Sequence, residues 1–178
     1  MSENKILIFL FLILFCSDLS SKSLNNCNFY TEKFGKKFNL PNNLLTSISL
    51  VESGIKKEKK SFSSWPWTLN VEGKSIYFDA KEDVINYLEK NKDKKSIDVG
   101  CMQINTKYHM SNFSNFAQMI EPKENVKYAA IFLSKLFKRH KSWNEAISRY
   151  HSSNPHKQKK YLKKVYSFWN NLRQKKII

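Results

Sequence analysis

Apolar residues that recur every three or four positions are the feature that most constrains the fold of this chain. The clearest such series is Leu44, Ile48, Val51 and Ile55. This spacing places all four side chains on one face of a helix. We predict that the helix starts at Leu40-Pro41, because proline is tolerated in the first turn, and that Ser53-Gly54 ends it.

The same spacing predicts two more helices in the first half of the chain. Residues 28–38 form the first of them, with Phe29, Phe34 and Phe38 as candidate apolar anchors. Residues 80–90 form the other, and Asp79 precedes it as a candidate cap.

The second half of the chain is predicted to be helical. Residues 125–137 form one helix. Ser142 and Glu145 form a capping box, in which the serine accepts from the third amide and the glutamate reaches back. This box opens a short helix that runs to about Tyr150. A final helix is marked by Tyr161, Leu162, Val165, Phe168, Trp169 and Leu172.

One segment departs from helical spacing. Residues 67–70 and 75–78 are rich in strand-forming side chains and flank Val71 to Lys74, with Gly73 in the predicted turn. A chain with only four glycines and four prolines is not typical of a collagenous, repeat or all-β protein. The sequence therefore predicts an α+β fold that is predominantly helical, with one small β-hairpin.

The net charge of the chain is strongly positive. Lys and Arg total 31 against 15 acidic residues, which gives +16. Such a charge indicates an anionic partner, although a compositional bias towards lysine would also produce it. The lysines are scattered and no zinc-finger or RNA-binding signature is present, so an acidic polysaccharide is favoured over nucleic acid.

The N-terminus carries a candidate export signal. Ile6 to Phe15 is an unbroken apolar run preceded by Lys5, too short to span a bilayer but long enough for a signal-peptide core. We place cleavage after Ser23, which gives a signal peptide over residues 1–23 and a single domain over residues 24–178. A lipoprotein signal at Cys16 is the alternative, disfavoured because Phe15 precedes it. The protein is expected in the periplasm, free or associated with the membrane.

Two cysteines remain after cleavage, Cys27 and Cys101. In an oxidising compartment an even number of cysteines favours a disulfide. Two separate buried thiols are the alternative.

Glu52 is the first candidate for catalysis. On a helical wheel it lies beside Leu45 and Ile48, at the edge of the apolar face. A carboxyl group there would be partly desolvated, which raises its pKa towards the range that a general acid needs. Position alone does not distinguish it from an ordinary surface glutamate near the end of a helix.

Three short segments in a fixed order resemble the soluble lytic transglycosylase family. They are Glu52-Ser53-Gly54, Gly100-Cys101-Met102-Gln103-Ile104-Asn105 and Tyr150-His151-Ser152. A small exported branch of that family is similar in three further segments, namely Trp65 to Asn70, Phe78-Asp79 and Ile97 to Gln103. The resemblance runs from about Cys27 to Trp169, and the match at Cys101 supports its pairing with Cys27.

The resemblance implies a lysozyme-like fold and cleavage of peptidoglycan glycan strands without a cofactor. The four histidines lack the spacing of metal ligands, so no metal site is expected. Glu52 matches the family's catalytic acid/base, and a 1,6-anhydromuramyl end is the expected product. Other matching residues imply contacts with the sugar, and Asn105 is also expected to be partly structural. These residues are Ser53, Met102, Gln103, Asn105 and Tyr150. His151 departs from the family's usual asparagine.

Several alternatives remain open at this stage. Asp98 is a candidate second carboxylate, which would favour a muramidase-type hydrolase, although local hydrogen bonding is the simpler role for it. Trp65 and Trp67 are candidates either for stacking on sugars or for packing within the hairpin. A non-catalytic wall-binding module would also keep the fold. The expected protein is a monomer, and assembly of secretion or flagellar machinery is one candidate setting for it.

Overall fold

The computed structural model describes residues 26–56, 62–94 and 96–174. The predicted signal peptide, residues 1–23, lies outside the described residues. A short 3-10 turn, Met110–Asn112, follows the fourth helix. In chain order the helices are α1 (Cys27–Lys37), α2 (Leu44–Ser53), α3 (Lys81–Lys90), α4 (Thr106–His109), α5 (Phe116–Ile120), α6 (Pro122–His140), α7 (Trp143–His151) and α8 (Pro155–Gln174).

The strands form two antiparallel sheets. Their bounds are β1 (Gly54–Ile55), β2 (Ser63–Ser64), β3 (Thr68–Val71), β4 (Lys74–Tyr77), β5 (Ile97–Val99) and β6 (Ile104–Asn105). Strands β1 and β2 pair with each other, and the other four lie in the order β4-β3-β5-β6. The predicted α+β fold, predominantly helical, is confirmed.

The predicted hairpin is present, but it is only half of its sheet. Strands β3 and β4 are joined by Glu72 and Gly73, both with positive φ. Strand β5 then pairs with the other edge of β3, and β6 pairs with β5. The sequence therefore predicted too few strands in this sheet. Strands of three and two residues are too short for an alternation of apolar and polar side chains to be recognised.

Helix α2 is at the centre of the core. Leu44, Leu45 and Ile48 are fully buried, and α2 packs against α1 and α8. The predicted start at Leu40-Pro41 was three residues too early, because Asn43 adopts a left-handed conformation (φ 64°) that helical residues avoid. Ile55 was also assigned to the helical face and instead lies in β1.

Helix α1 begins directly after its N-cap residue, Asn26. Asn26 Oδ1 accepts from the backbone N–H groups of Asn28 and Phe29, which satisfies two amides of the first turn. Tyr30 and Phe34 are buried, whereas Phe29 is 45% exposed. The prediction of Phe34 as an anchor is confirmed, whereas the prediction of Phe29 was wrong, because Tyr30, one turn before Phe34, takes that place in the core.

The C-terminal helices agree with prediction except in detail. Helix α6 is longer than residues 125–137 and begins with Pro122 in its first turn. Ser142 caps α7 as predicted, accepting from Glu145 N. The carboxylate of Glu145 does not reach back; it accepts from Arg149 Nε at 2.9 Å instead. The N-cap residue of α3 is Ala80, one residue after the predicted Asp79.

A disulfide joins Cys27 to Cys101, with a Cα–Cα distance of 5.7 Å. It ties the first residue of α1 to the segment between β5 and β6. In the described part of the chain, no helix is both long enough and apolar enough to cross a membrane.

Candidate active site

A cleft of about 600 Å³ runs between the four-stranded sheet and helices α7 and α8. Four of the residues singled out from the sequence for catalysis or sugar contact line it, and so does Asp98. These four are Glu52, Gln103, Asn105 and Tyr150. The sequence motifs, which are up to 98 positions apart (150 minus 52), thus meet at one surface.

Glu52 lies in the last turn of α2 and faces the cleft. Its Oε1 accepts a hydrogen bond of 2.5 Å from the hydroxyl of Tyr161, on α8. Burial raises the pKa of Glu52 from 4.5 to about 8. The Tyr161 hydrogen bond and the charge of Lys164 lower this pKa, and the charge of Asp98 raises it, but desolvation is the largest effect. Glu52 therefore keeps its proton at neutral pH.

Helix α2 must end immediately after Glu52, and Gly54 allows it to do so. Gly54 is extended (φ −65°) and pairs with Ser64 in the small sheet. A Cβ atom on Gly54 would lie 2.2 Å from the carbonyl oxygen of Leu50 and 2.3 Å from the ring of Phe62. Only glycine fits this close approach, which explains its position two residues after Glu52.

Ser53 is not among the residues that line the cleft. It is buried, and its hydroxyl donates to the carbonyl oxygen of Cys101 at 2.8 Å. Ser49, one turn earlier, lies 3.0 Å from the same oxygen. The predicted contact of Ser53 with sugar does not match this placement. Both serines instead fasten the helix that bears Glu52 to the turn that carries the second motif.

The turn between β5 and β6 is held in place by the buried side-chain amide of Asn125. Asn125, on α6, donates to the carbonyl oxygens of Val99 and Met119 and accepts from Met102 N, each at 2.9 Å. Gly100 has φ 77°, and a Cβ atom there would lie 3.0 Å from the Asn125 amide. The side chain of Met102 is fully buried and, like that of Ser53, is not among the residues that line the cleft.

Gln103 and Asn105 do reach the cleft. Gln103 is left-handed (φ 46°), and its Nε2 donates to Gly100 O at 3.0 Å. Asn105 Nδ2 donates to Asp98 Oδ1 across the β5–β6 pair, at 2.7 Å. Its Oδ1 accepts from Lys107 N and caps α4, so Asn105 is partly structural, as the sequence predicted.

The side chain of Asp98 is held in place by this hydrogen bond from Asn105. Burial raises the pKa of Asp98, and the hydrogen bond from Asn105 lowers it by a smaller amount. This hydrogen bonding agrees with the local role that was expected of Asp98.

Aromatic residues form the helical side of the cleft. Tyr150 donates its hydroxyl proton to Met102 O at 2.8 Å, and burial raises its pKa well above the usual value. The His151 ring stacks on Tyr161, with centroids 4.3 Å apart and planes 4° apart. The stack fixes the tyrosine that binds Glu52.

The tryptophans contribute to the hairpin. Trp65 Nε1 donates to Phe78 O at 2.8 Å, and Trp67 is buried. Packing in the hairpin is therefore their role in this structure. The residues at the cleft that were not anticipated as site residues include Tyr108, Tyr161 and Lys164. Tyr161 was recognised only as a core position of the last helix, since its spacing to Val165 and Trp169 is that of an ordinary apolar face.

No group of three or more His, Cys, Asp or Glu side chains within 26–56, 62–94 and 96–174 is arranged to hold a metal ion. The chemistry available from the described residues is a protonated carboxyl, an aromatic hydroxyl bound to it, and amides and lysines around a polar cleft.

A mostly helical α+β domain whose cleft lies between a small sheet and the helices belongs to the lysozyme-like class. The family model for the transglycosylase SLT domain matches residues 29–172, and the chain belongs to this family. Searches of curated proteins and of solved structures found no match. Membership implies, at the level of the family, lytic transglycosylase-type activity and binding of peptidoglycan.

Proposed function

We propose that the protein is a peptidoglycan lytic transglycosylase that cleaves the MurNAc-GlcNAc β-1,4 bond and leaves a 1,6-anhydromuramyl end. Glu52 is its sole acid/base. The observation that carries this proposal is the position of the Glu52 carboxyl at the wall of the cleft, bonded to Tyr161, where burial raises its pKa.

In the first step, Glu52 gives its proton to the glycosidic oxygen as the bond to the anomeric carbon breaks. Because Oε1 accepts from Tyr161, we assign the proton transfer to Oε2. The carbonyl oxygen of the substrate's own N-acetyl group stabilises the positive charge that develops at the anomeric carbon. The new Glu52 carboxylate is stabilised by the Tyr161 hydroxyl and the charge of Lys164, both of which favour the ionised form.

In the second step, the Glu52 carboxylate takes the proton from the C6 hydroxyl of the muramyl residue. The C6 oxygen then bonds to the anomeric carbon, closing the anhydro ring, and Glu52 returns to its acid form. No water is consumed, and no second carboxylate is required. The Oδ1 atom of Asp98 accepts a hydrogen bond from Asn105, which favours a local structural role for this carboxyl group.

We place this activity in the periplasm, after export. The Cys27–Cys101 disulfide supports the location, since such bonds persist in oxidising compartments. The apolar run from Ile6 to Phe15 supports export itself.

The proposal predicts how activity depends on pH. Only protonated Glu52 can start the reaction, so kcat/KM should fall as pH rises through about 8. Changing Lys164 to Met should move this alkaline limb to higher pH, because the lysine lowers the pKa of Glu52. Release of soluble fragments from purified sacculi at a series of pH values measures both.

The raised pKa of Glu52 also makes the stability of the folded protein depend on pH. Its pKa is higher in the folded than in the unfolded protein, so the folded state binds more protons between pH 4.5 and about 8. Its contribution to folding is thus fully present below pH 4.5 and is lost as pH rises towards 8.

For the pH dependence of activity, a fall of kcat/KM at the pKa of an ordinary carboxyl group, with no fall near 8, would contradict the assigned role of Glu52.

A further inference from the structure

We propose that Lys157 and Lys160, with Lys164, bind carboxylates on the peptide stems of peptidoglycan, so that the cleft selects strands whose stems are acidic. This inference rests on the proposed function, because it names the part of the substrate that one wall of the same cleft recognises. It concerns binding and not the chemical step.

The three lysines form one row. They are spaced by three and four residues along α8, which places them on one face of the helix, and all three are exposed and line the cleft. Tyr161, the residue that binds Glu52, lies next to Lys160 in the chain. Because Glu52 and the three lysines line the same cleft, a ligand bound at Glu52 lies near the row.

The row carries an uncompensated charge. Among the described residues, none of the three lysines has a carboxylate within ion-pair distance. Lysines three and four apart repel each other, and Lys157 lies in the first turn of α8, where the helix dipole also disfavours a positive charge. An anion in the cleft would relieve all of these repulsions at once.

The wall of the cleft that the sheet forms, opposite the lysine row, carries different chemical groups. Apart from Asp98, which is bonded to Asn105, the sheet side of the cleft presents the uncharged groups of Asn70, Ser75 and Gln103, which suit the hydroxyl and amide groups of a sugar. Peptidoglycan has both parts, a glycan that is largely neutral and stems that end in carboxylates. We infer that the glycan lies along the sheet and the stem along α8.

The alternative is that these lysines merely follow a lysine-rich composition, and α8 itself provides the comparison. Lys159 and Lys163 lie on the same helix and are exposed, yet they do not line the cleft. Removing either pair changes the net charge equally. Lys164 is left intact in both variants, because its charge acts on Glu52.

Isothermal titration calorimetry at low salt tests the proposal. The probe is a GlcNAc-MurNAc disaccharide with one peptide stem, prepared with free carboxylates or with the carboxylates amidated. It lacks the MurNAc-GlcNAc bond that would be cleaved. Wild type should bind the free-acid form about three- to tenfold more tightly, the range expected for two exposed ion pairs. Added salt should remove the difference.

The paired variants separate recognition from bulk charge. The double variant Lys157→Gln/Lys160→Gln should lose most of the preference, because only Lys164 of the row remains, whereas Lys159→Gln/Lys163→Gln should keep all of it. Equal affinity of wild type for both probes, equal loss in the two double variants, or no binding of either probe would overturn the proposal. The proposed reaction is judged separately, by the products formed from sacculi, so either idea can fail without the other.

Discussion

Changing Glu52 to Gln is expected to lower the release of fragments from peptidoglycan by at least about 10²–10⁴-fold. Glutamine keeps the shape of the side chain, and its Oε1 can still accept from Tyr161. It has no proton to give to the glycosidic oxygen and cannot take one from the C6 hydroxyl. Steady-state rates on purified sacculi measure the loss, and far-ultraviolet circular dichroism and sacculus binding should be unchanged.

Two further variants serve as controls for this loss. Changing Asp98 to Asn removes the other carboxylate of the cleft and should cost far less, because that residue is held by Asn105. Changing Glu32 to Gln makes the same chemical substitution at an exposed site on α1 and should have no effect. A Glu52→Gln protein as active as wild type would refute both the lyase and the hydrolase and favour a non-catalytic wall-binding module. An equally large loss in the Asp98 variant would indicate a hydrolytic pair.

Removal of the disulfide is expected to cost about 4 kcal/mol of unfolding free energy, because the bond closes a loop of 74 residues in the unfolded chain. Alanine at both positions avoids placing a new polar group at two buried sites. Urea unfolding of wild type and of the Cys27→Ala/Cys101→Ala protein measures the difference. A reductant should destabilise wild type to a similar extent and leave the double variant unchanged.

The disulfide should also affect the cleft. Cys101 O is the acceptor for Ser53 and lies beside Ser49, so the bridge helps to hold the turn against the helix that bears Glu52. Fully alkylatable thiols in freshly purified protein, together with unchanged stability of the double variant, would show that the bridge does not form in solution.

The long helices could be predicted because each buries a broad apolar face. The series from Leu44 to Val51 on α2 and the Ser142 cap of α7 are local signals that survive in the structure. The missed features depend on tertiary contacts. Strands β5 and β6 exist only because β3 offers an edge to pair with, and the late start of α2 depends on the left-handed Asn43.

The residues of the candidate site also fall into two groups, those that the sequence could indicate and those that depend on tertiary contacts. Glu52 could be selected because a carboxyl at the edge of an apolar face is desolvated, and the structure raises its pKa as expected. Tyr161 could not be selected, since it is 109 residues away and nothing in its neighbourhood signals a hydrogen bond to Glu52. Ser53 and Met102 were chosen by motif as sugar contacts, yet the motif does not reveal that both side chains are buried and are not among the residues that line the cleft.

The masses of new glycan ends, after wild-type protein digests purified sacculi in water labelled with heavy oxygen, test the central claim most directly. If Glu52 alone acts as acid and then base, the C6 oxygen closes the ring. The new muramyl ends should then be one water molecule lighter than reducing ends and carry no heavy oxygen. Products dominated by reducing ends that contain heavy oxygen would contradict the account and make the protein a hydrolase.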